Sequence, residues 1–246
     1  MTYKVVPLSK DNKEDLFRLF EENSYVHQRE WKSCYCRFYH TSCTMHHWMS
    51  KSAESNKTEA IEAIDAQKMH GFLAYDQSIT NKRPGVLVVH EWQGINDYAK
   101  KRAVDLAKEG YVAFALDMYG DGKEIPRSEA RDKSSAVGSD FSLIKKRFNA
   151  ALERLNKAKY VDAAKTAAIG YCIGGGIVLN MARMGTEIHG VVGFHSSINT
   201  GLTAKSGDIK TKILAIQGDT DPAAPIEKQT AFVKEMKESE ADFSYI

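Results

Sequence analysis

The sequence predicts an α/β domain with a mostly parallel sheet flanked by helices, and three observations carry that prediction. From residue 85 onward, short apolar runs of strand length alternate with amphipathic segments of helix length, the order expected of a sheet covered by helices. The apolar runs stay strand-sized: GVLVV at 85–89 is typical, and none reaches the length of a membrane-spanning helix. A chain of 246 residues, 43% hydrophobic and 27% charged, has enough apolar material for a full core.

The elements follow in order. GVLVVHE (85–91) reads as a buried strand. DYAKKRAVDLAKEG (97–110) reads as a helix because Ala99, Ala103, Leu106 and Ala107 recur at helical spacing, with Gly110 as its stop. YVAFALD (111–117) is the next strand, and a long helix runs from about Asp140 to Ala158. TAAIGYC (166–172) passes from strand to turn, and GGGIVLNMARM opens a helix behind it. HGVVGFH (189–195) and KILAIQG (212–218) are two more strands, PIEKQTAFVKEMKES a further helix, and ADFSYI the start of a last strand.

The first eighty residues differ in kind. They hold three of the four cysteines, five of the eight histidines and two of the three tryptophans, so a small α+β N-terminal segment of separate origin is expected. TYKVVPL reads as a strand and DNKEDLFRLFEEN as a helix. NKTEAIEAIDAQ opens with a capping-box pattern, Asn56 followed three residues on by Glu59, which marks a helix start. GFLAYD (71–76) is strand-like.

Charge and cysteine usage exclude several functions. A net charge of +2 gives no field that would select nucleic acid or an anionic membrane, which leaves small molecules as partners. MTYKVVPLSKDNKED lacks the basic-then-apolar pattern of a secretory signal, and the cysteines lack disulfide-framework spacing. A cytoplasmic location with reduced thiols is the expectation.

GYCIGGG (170–176) is where chemistry enters. A nucleophile on a tight strand-to-helix turn needs small residues on both sides, which Gly170, Gly174 and Gly175 supply. The following helix then aims its N-terminal N–H groups at Cys172, favouring thiolate over thiol. Glycines after a strand also serve close packing, so the motif gains weight from two other places. HEWQG follows the strand GVLVV where a second oxyanion loop belongs, with Glu91 at its start. GDTDPAAP sets Asp219 and Asp221 just past a late strand, where the acid of a nucleophile–acid–histidine order belongs.

Taken together, RPGVLVVHEWQG, GYVAFALDMYG, GYCIGGG, GVVGFHSS and GDTDPAAP resemble the dienelactone hydrolase family, the cysteine-nucleophile branch of the α/β-hydrolases, over roughly residues 69–246. The resemblance implies an α/β-hydrolase fold and a carboxylic ester hydrolase of carboxymethylenebutenolidase type. Such an enzyme opens small-molecule esters or lactones through an acyl-enzyme, without metal or cofactor. By the same likeness Cys172 is the nucleophile and Asp221 orients a catalytic histidine. Glu91 holds the resting thiol and helps to activate it, and the Trp92 and Ile173 N–H groups receive the oxyanion. The family's catalytic histidine lies beyond Asp221, where this sequence has none, so a C-terminally truncated hydrolase domain is expected. His195 matches a family histidine that is not the base, and His90 would point to the opposite face of its strand from Glu91. Both are expected to be structural.

In front, Cys34, Cys36, His40, Cys43, His46 and His47 lack the separated pairs of a zinc site, so no metal is expected. YKVVPLS, WKSCYCRFYH, Trp48, NKTEAIEAI and GFLAYD resemble the opening of a GNAT-type N-acetyltransferase, but without that family's pyrophosphate-gripping glycine loop. The expected organisation is therefore an incomplete acetyltransferase-like segment over 1–76 and a hydrolase domain over 77–246. Two alternatives to hydrolysis stand: a catalytically silent hydrolase fold that serves as a binding module, and, behind it, acetyl transfer.

Overall fold

A computed structural model describes residues 55–64, 67–120, 122–198 and 201–246 of the chain. The cysteine- and histidine-rich stretch at 34–47, the strand expected at TYKVVPL, the helix expected at DNKEDLFRLFEEN and most of the acetyltransferase-like segment lie outside these residues.

The described chain forms one eight-stranded sheet in the order β1-β2-β4-β3-β5-β6-β7-β8. Its strands are β1 (Ser55–Ile64), β2 (Gln67–Asp76), β3 (Arg83–Val89), β4 (Val112–Leu116), β5 (Val161–Tyr171), β6 (Gly190–Phe194), β7 (Lys212–Ile216) and β8 (Phe243–Tyr245). From β4 to β8 every neighbouring pair is parallel, while β1 and β2 add an antiparallel hairpin at one side. The helices are α1 (Asp97–Lys108), α2 (Arg127–Ser139), α3 (Phe141–Asn156), α4 (Ile173–Arg183) and α5 (Ile226–Glu238).

The strands sort their side chains by pleat. Val86 and Val88 pack with Ala99, Ala103, Leu106 and Ala107, the stripe that the spacing of α1 predicts. Leu87 and Val89 point the other way, into a larger core with Phe148 of α3, Val178 of α4 and Phe232 of α5. Both faces are thus covered, which is why these strands read as apolar runs. Truncating Phe148, fully buried at the centre of the larger core, would cost about 3–5 kcal/mol by loss of contact and the cavity left behind.

Two elements differ from expectation. Ser55–Ile64 is a strand, not the helix that the capping-box pattern at Asn56 predicts: ten residues pair in register with β2, from Ser55 opposite Asp76 to Ile64 opposite Gln67. A hairpin ladder satisfies the backbone along that whole length, whereas a local helix-start signal is worth only about 1 kcal/mol. Because β2 pairs with β4 through Gly71–Leu116 and Ala74–Ala113, residues 55–76 enter the same sheet as the strands after them. The second difference is α2, which the sequence pattern does not announce.

Candidate active site

The register of the parallel strands gathers the candidate residues at one edge. Val89 of β3 pairs with Gly170 of β5, so Glu91 and Cys172 each stand two residues past a paired position. Tyr171 of β5 pairs with Phe194 of β6, which sets Cys172 and His195 at the next positions along. Phe194 pairs with Ile216 of β7, and the loop beyond Ile216 carries Asp221. Neighbouring strands lie about 4.8 Å apart, so the carboxyl ends of β3, β5, β6 and β7 form one row.

Cys172 sits between β5 and α4 with φ 55° and ψ −115°, a left-handed conformation that costs a non-glycine residue on the order of 1–3 kcal/mol. The flanking glycines make the turn possible. A Cβ on Gly170 would lie 2.1 Å from the Gly174 carbonyl oxygen, and one on Gly174 would lie 2.5 Å from the carbonyl oxygens of both Val89 and His90. The turn is pinned by backbone bonds: Cys172 N–H donates to Phe194 O at 2.9 Å, and Cys172 O accepts from Gly176 N at 3.1 Å and Ser197 N at 3.3 Å. Ile173, the first residue of α4, has an N–H with no partner inside the helix. That N–H and the dipole of α4 lie at the turn beside Cys172.

The loop after β3 is tied down from below. His90 is 1% exposed, and both ring nitrogens are engaged: Nδ1–H donates to Glu91 O at 2.6 Å, and Nε2 accepts from Met118 N at 2.9 Å. That pattern fixes a neutral imidazole, and burial lowers its pKa in the same direction. Tyr119, also buried, donates its hydroxyl to Trp92 O at 3.1 Å and sets its ring edge-on to His90 at 4.7 Å. Gln93 O accepts from Ile125 N at 2.9 Å, closing the other side of the loop. Glu91 itself is half-buried: loss of water pushes its pKa up to about 7, against a smaller opposing pull from the Arg102 guanidinium. Arg102 lies over the rings of Tyr98 and Tyr171, 5.0 and 5.9 Å from their centroids, and Tyr171 stacks on Phe194 at 5.0 Å. An aromatic and cationic wall therefore borders the site on the α1 side of the sheet.

Of the two acids in GDTDPAAP, Asp219 is exposed and Asp221 is buried and ordered. Asp221 Oδ1 accepts from Ala223 N at 2.9 Å, and Oδ2 accepts from Gln217 Nε2 at 2.5 Å and contacts His195 Nδ1. Gln217 is held in turn, its Oε1 accepting from Ser196 N at 2.8 Å.

A family model described as the dienelactone hydrolase family matches residues 69–245. The chain belongs to that family. Its members hydrolyse esters and lactones. Among relatives, a Bradyrhizobium protein named "Probable 2-oxo-3-(5-oxofuran-2-ylidene)propanoate lactonase" is 28% identical over 67% of this chain and 70% of its own. A Saccharolobus solfataricus protein carrying the provisional name carboxymethylenebutenolidase is 28% identical over 64% of this chain and 73% of its own. Among solved structures, a dienelactone hydrolase-like promiscuous phosphotriesterase from metagenomic libraries superposes with a TM-score of 0.71 at 31% identity, covering 78% of this chain and 80% of that one. The expected fold class stands: this is the α/β-hydrolase fold of the dienelactone hydrolases.

The structure brings Cys172, Ile173, Glu91, Trp92 and Asp221 to one edge of the sheet. The sequence reading missed Tyr119, Arg102 and Gln217. DMYG carries only the family likeness, and its tyrosine three residues past the buried β4 is the available signal for Tyr119. Arg102 and Gln217 give none, since their contacts to Tyr171 and Ser196 join separate strands or helices. Among the described residues no cluster of three or more His, Cys, Asp or Glu side chains could hold a metal ion, and no helix is long and apolar enough to cross a membrane.

Proposed function

We propose that this dienelactone hydrolase family member cleaves small ester or lactone substrates through Cys172, by way of an acyl-enzyme. The observation that carries the proposal is the left-handed, glycine-flanked Cys172 at the N-terminus of α4, on the same sheet edge as Glu91 and Asp221. In the first half-reaction the Cys172 thiolate adds to the substrate carbonyl carbon. The developing oxyanion takes N–H bonds from Ile173 and Trp92, and the C–O bond to the leaving oxygen breaks to give a thioester. Water then adds to the thioester carbonyl and expels the thiolate, which regenerates the site. In a lactone the leaving oxygen stays on the acyl chain, so the product is a single hydroxy or oxo acid. Glu91 suits a proton-holding role because its pKa near 7 lets it both give and accept a proton at neutral pH. The curated relatives named for lactone and butenolide cleavage support this substrate class.

The test is hydrolysis of p-nitrophenyl acetate and of a dienelactone by the chain and by its Cys172→Ala variant. Turnover should fall roughly a thousandfold or more in the variant. Equal rates would overturn the proposal and favour a binding module with the same fold.

A further inference from the structure

We infer that Gln217 is a positioning residue of this site, the side chain that sets the Asp221 carboxylate against the turn holding Cys172. This rests on the reading of Cys172 as nucleophile and Asp221 as the acid of the same sheet edge, and extends it to a residue that neither the motif nor the family likeness assigns. Gln217 is the first residue past β7 and is 7% exposed. Its backbone N–H donates to Ile246 O at 2.8 Å, just past β8. The side-chain amide spans two further neighbours. Oε1 accepts from Ser196 N at 2.8 Å, and Nε2 donates to Asp221 Oδ2, the oxygen that also meets His195 Nδ1. Those neighbours fix which way round the amide sits. A backbone N–H can only donate, so the amide oxygen faces Ser196 and the NH2 group faces the carboxylate.

The amide is tied to a rigid anchor. Ser196 is buried between α4 and β6: a Cβ added to Gly175 would come within 2.3 Å of its Oγ, and one added to Gly193 within 2.4 Å. The next residue, Ser197, donates its N–H to Cys172 O at 3.3 Å. Residues 196 and 197 therefore hold the Cys172 turn on one side and, through Gln217, the Asp221 carboxylate on the other. The second carboxylate oxygen accepts from Ala223 N, which ties the acid to its own loop and not to the nucleophile turn.

Gln229 of α5 supplies the contrast. It is buried too, but its Nε2 donates to Ala224 O at 2.8 Å and Gly218 O at 3.2 Å, and its Oε1 accepts from Tyr245 OH at 2.6 Å. Those bonds tie the same loop through its backbone carbonyls, not through the Asp221 carboxylate. The two glutamines thus divide the work: Gln229 keeps the loop folded, and Gln217 aims the acid. A reacting group displaced by about 1 Å costs on the order of a hundredfold in rate, so aim is the property that turnover should report.

The experiment measures kcat and KM for p-nitrophenyl acetate from pH 5 to 9, with urea unfolding alongside, in the parent chain, Gln217→Met, Gln217→Glu, Gln229→Met and Cys172→Ala. Gln217→Met keeps the length of the side chain and loses both bonds, so kcat should fall about tenfold or more with KM within about threefold. Gln217→Glu keeps an acceptor for Ser196 but sets a second carboxyl against Asp221. Such a pair binds one proton at low pH, which restores the donor, and loses it as pH rises. Its kcat relative to the parent should therefore be near parity at pH 5 and fall about tenfold by pH 8, while the ratio for Gln217→Met stays flat. His195, Tyr245 and Asp219, the titratable groups around this pair, are common to parent and variants, so the ratio isolates the added carboxyl. Gln229→Met should unfold at lower urea with kcat within about threefold of the parent. If Gln217→Met keeps kcat within about threefold while Cys172→Ala abolishes turnover, the inference fails and the hydrolase reading survives. An equal loss of kcat in Gln229→Met would also overturn it, by tracing the effect to the order of the loop. If Cys172→Ala keeps its turnover, the hydrolase reading fails and takes the inference with it. Should Gln217→Met not fold, Gln217→Glu decides: a ratio that stays flat from pH 5 to 8 would overturn the inference.

Discussion

His90 and His195 stand one residue past the ends of two parallel strands, β3 and β6, in opposite surroundings. His90 is sealed into the core with a backbone partner on each ring nitrogen, so it is a structural tie between the Glu91 loop and the Met118 loop. His195 is part-exposed, leans on a carboxylate through one nitrogen and sits beside Cys172. The same residue type at the same place in the strand thus bonds to backbone or to a carboxylate according to its neighbours. A pattern of letters does not carry that distinction.

The largest effect should come from breaking the fastening. His90→Ala strips partners from the buried Met118 N–H and the Glu91 carbonyl, which should cost about 3 kcal/mol of stability at pH 8 by urea unfolding. A loss under about 1 kcal/mol would mean that water replaces the imidazole. The parent should also show the tie through pH. Burial depresses the His90 pKa, so below the ordinary value of 6.5 the unfolded chain binds a proton that the folded chain refuses. The His90 contribution is therefore complete above that pH and declines as pH falls below it. His90→Gln should lack this component.

A smaller effect of opposite sign belongs to Glu91. Its pKa is raised from 4.5 to about 7, so its contribution is full below the lower value and is lost as pH rises through the upper one. Glu91→Gln should accordingly be more stable than the parent at pH 8, by on the order of 2 kcal/mol, with the gap closing near pH 4.5. Thermal melts at the two pH values check this. A variant less stable than the parent at pH 8 would show that the carboxylate is satisfied rather than desolvated. Smallest should be Tyr119→Phe, which leaves the Trp92 carbonyl short of one donor at a cost of about 1 kcal/mol. If Trp92 contributes an oxyanion N–H, kcat in this variant should fall by up to about tenfold with little change in KM. An unchanged kcat would remove Tyr119 from the positioning of that loop.

Much of the fold was legible because burial on both sides leaves a plain mark. The runs at 85–89, 112–116 and 213–216 are apolar throughout, and α1 shows its buried stripe at Ala99, Ala103, Leu106 and Ala107. Helix α2 was not legible because RSEARDKSSAVGS is rich in serine and buries little beyond Ala130 and Val137, so no apolar period stands out. β1 was misread because a three-residue capping signal is local, while a strand's evidence is its partner. At the site, Cys172 announced itself through the steric demand for glycine on either side. The place after a late strand pointed to Asp219 and Asp221 alike, and it is burial that sets Asp221 apart. The contact between Asp221 and His195 was not legible, since it joins two loops 26 residues apart whose relative placement is set by the β6–β7 pairing.

The most direct measurement is to quench the chain within its first turnovers on p-nitrophenyl acetate and weigh the peptide that carries Cys172. An acetyl group on that peptide, formed at the rate of nitrophenolate release and absent in Cys172→Ala, is the predicted result. Nitrophenolate release at an undiminished rate with Cys172 unmodified would contradict the account.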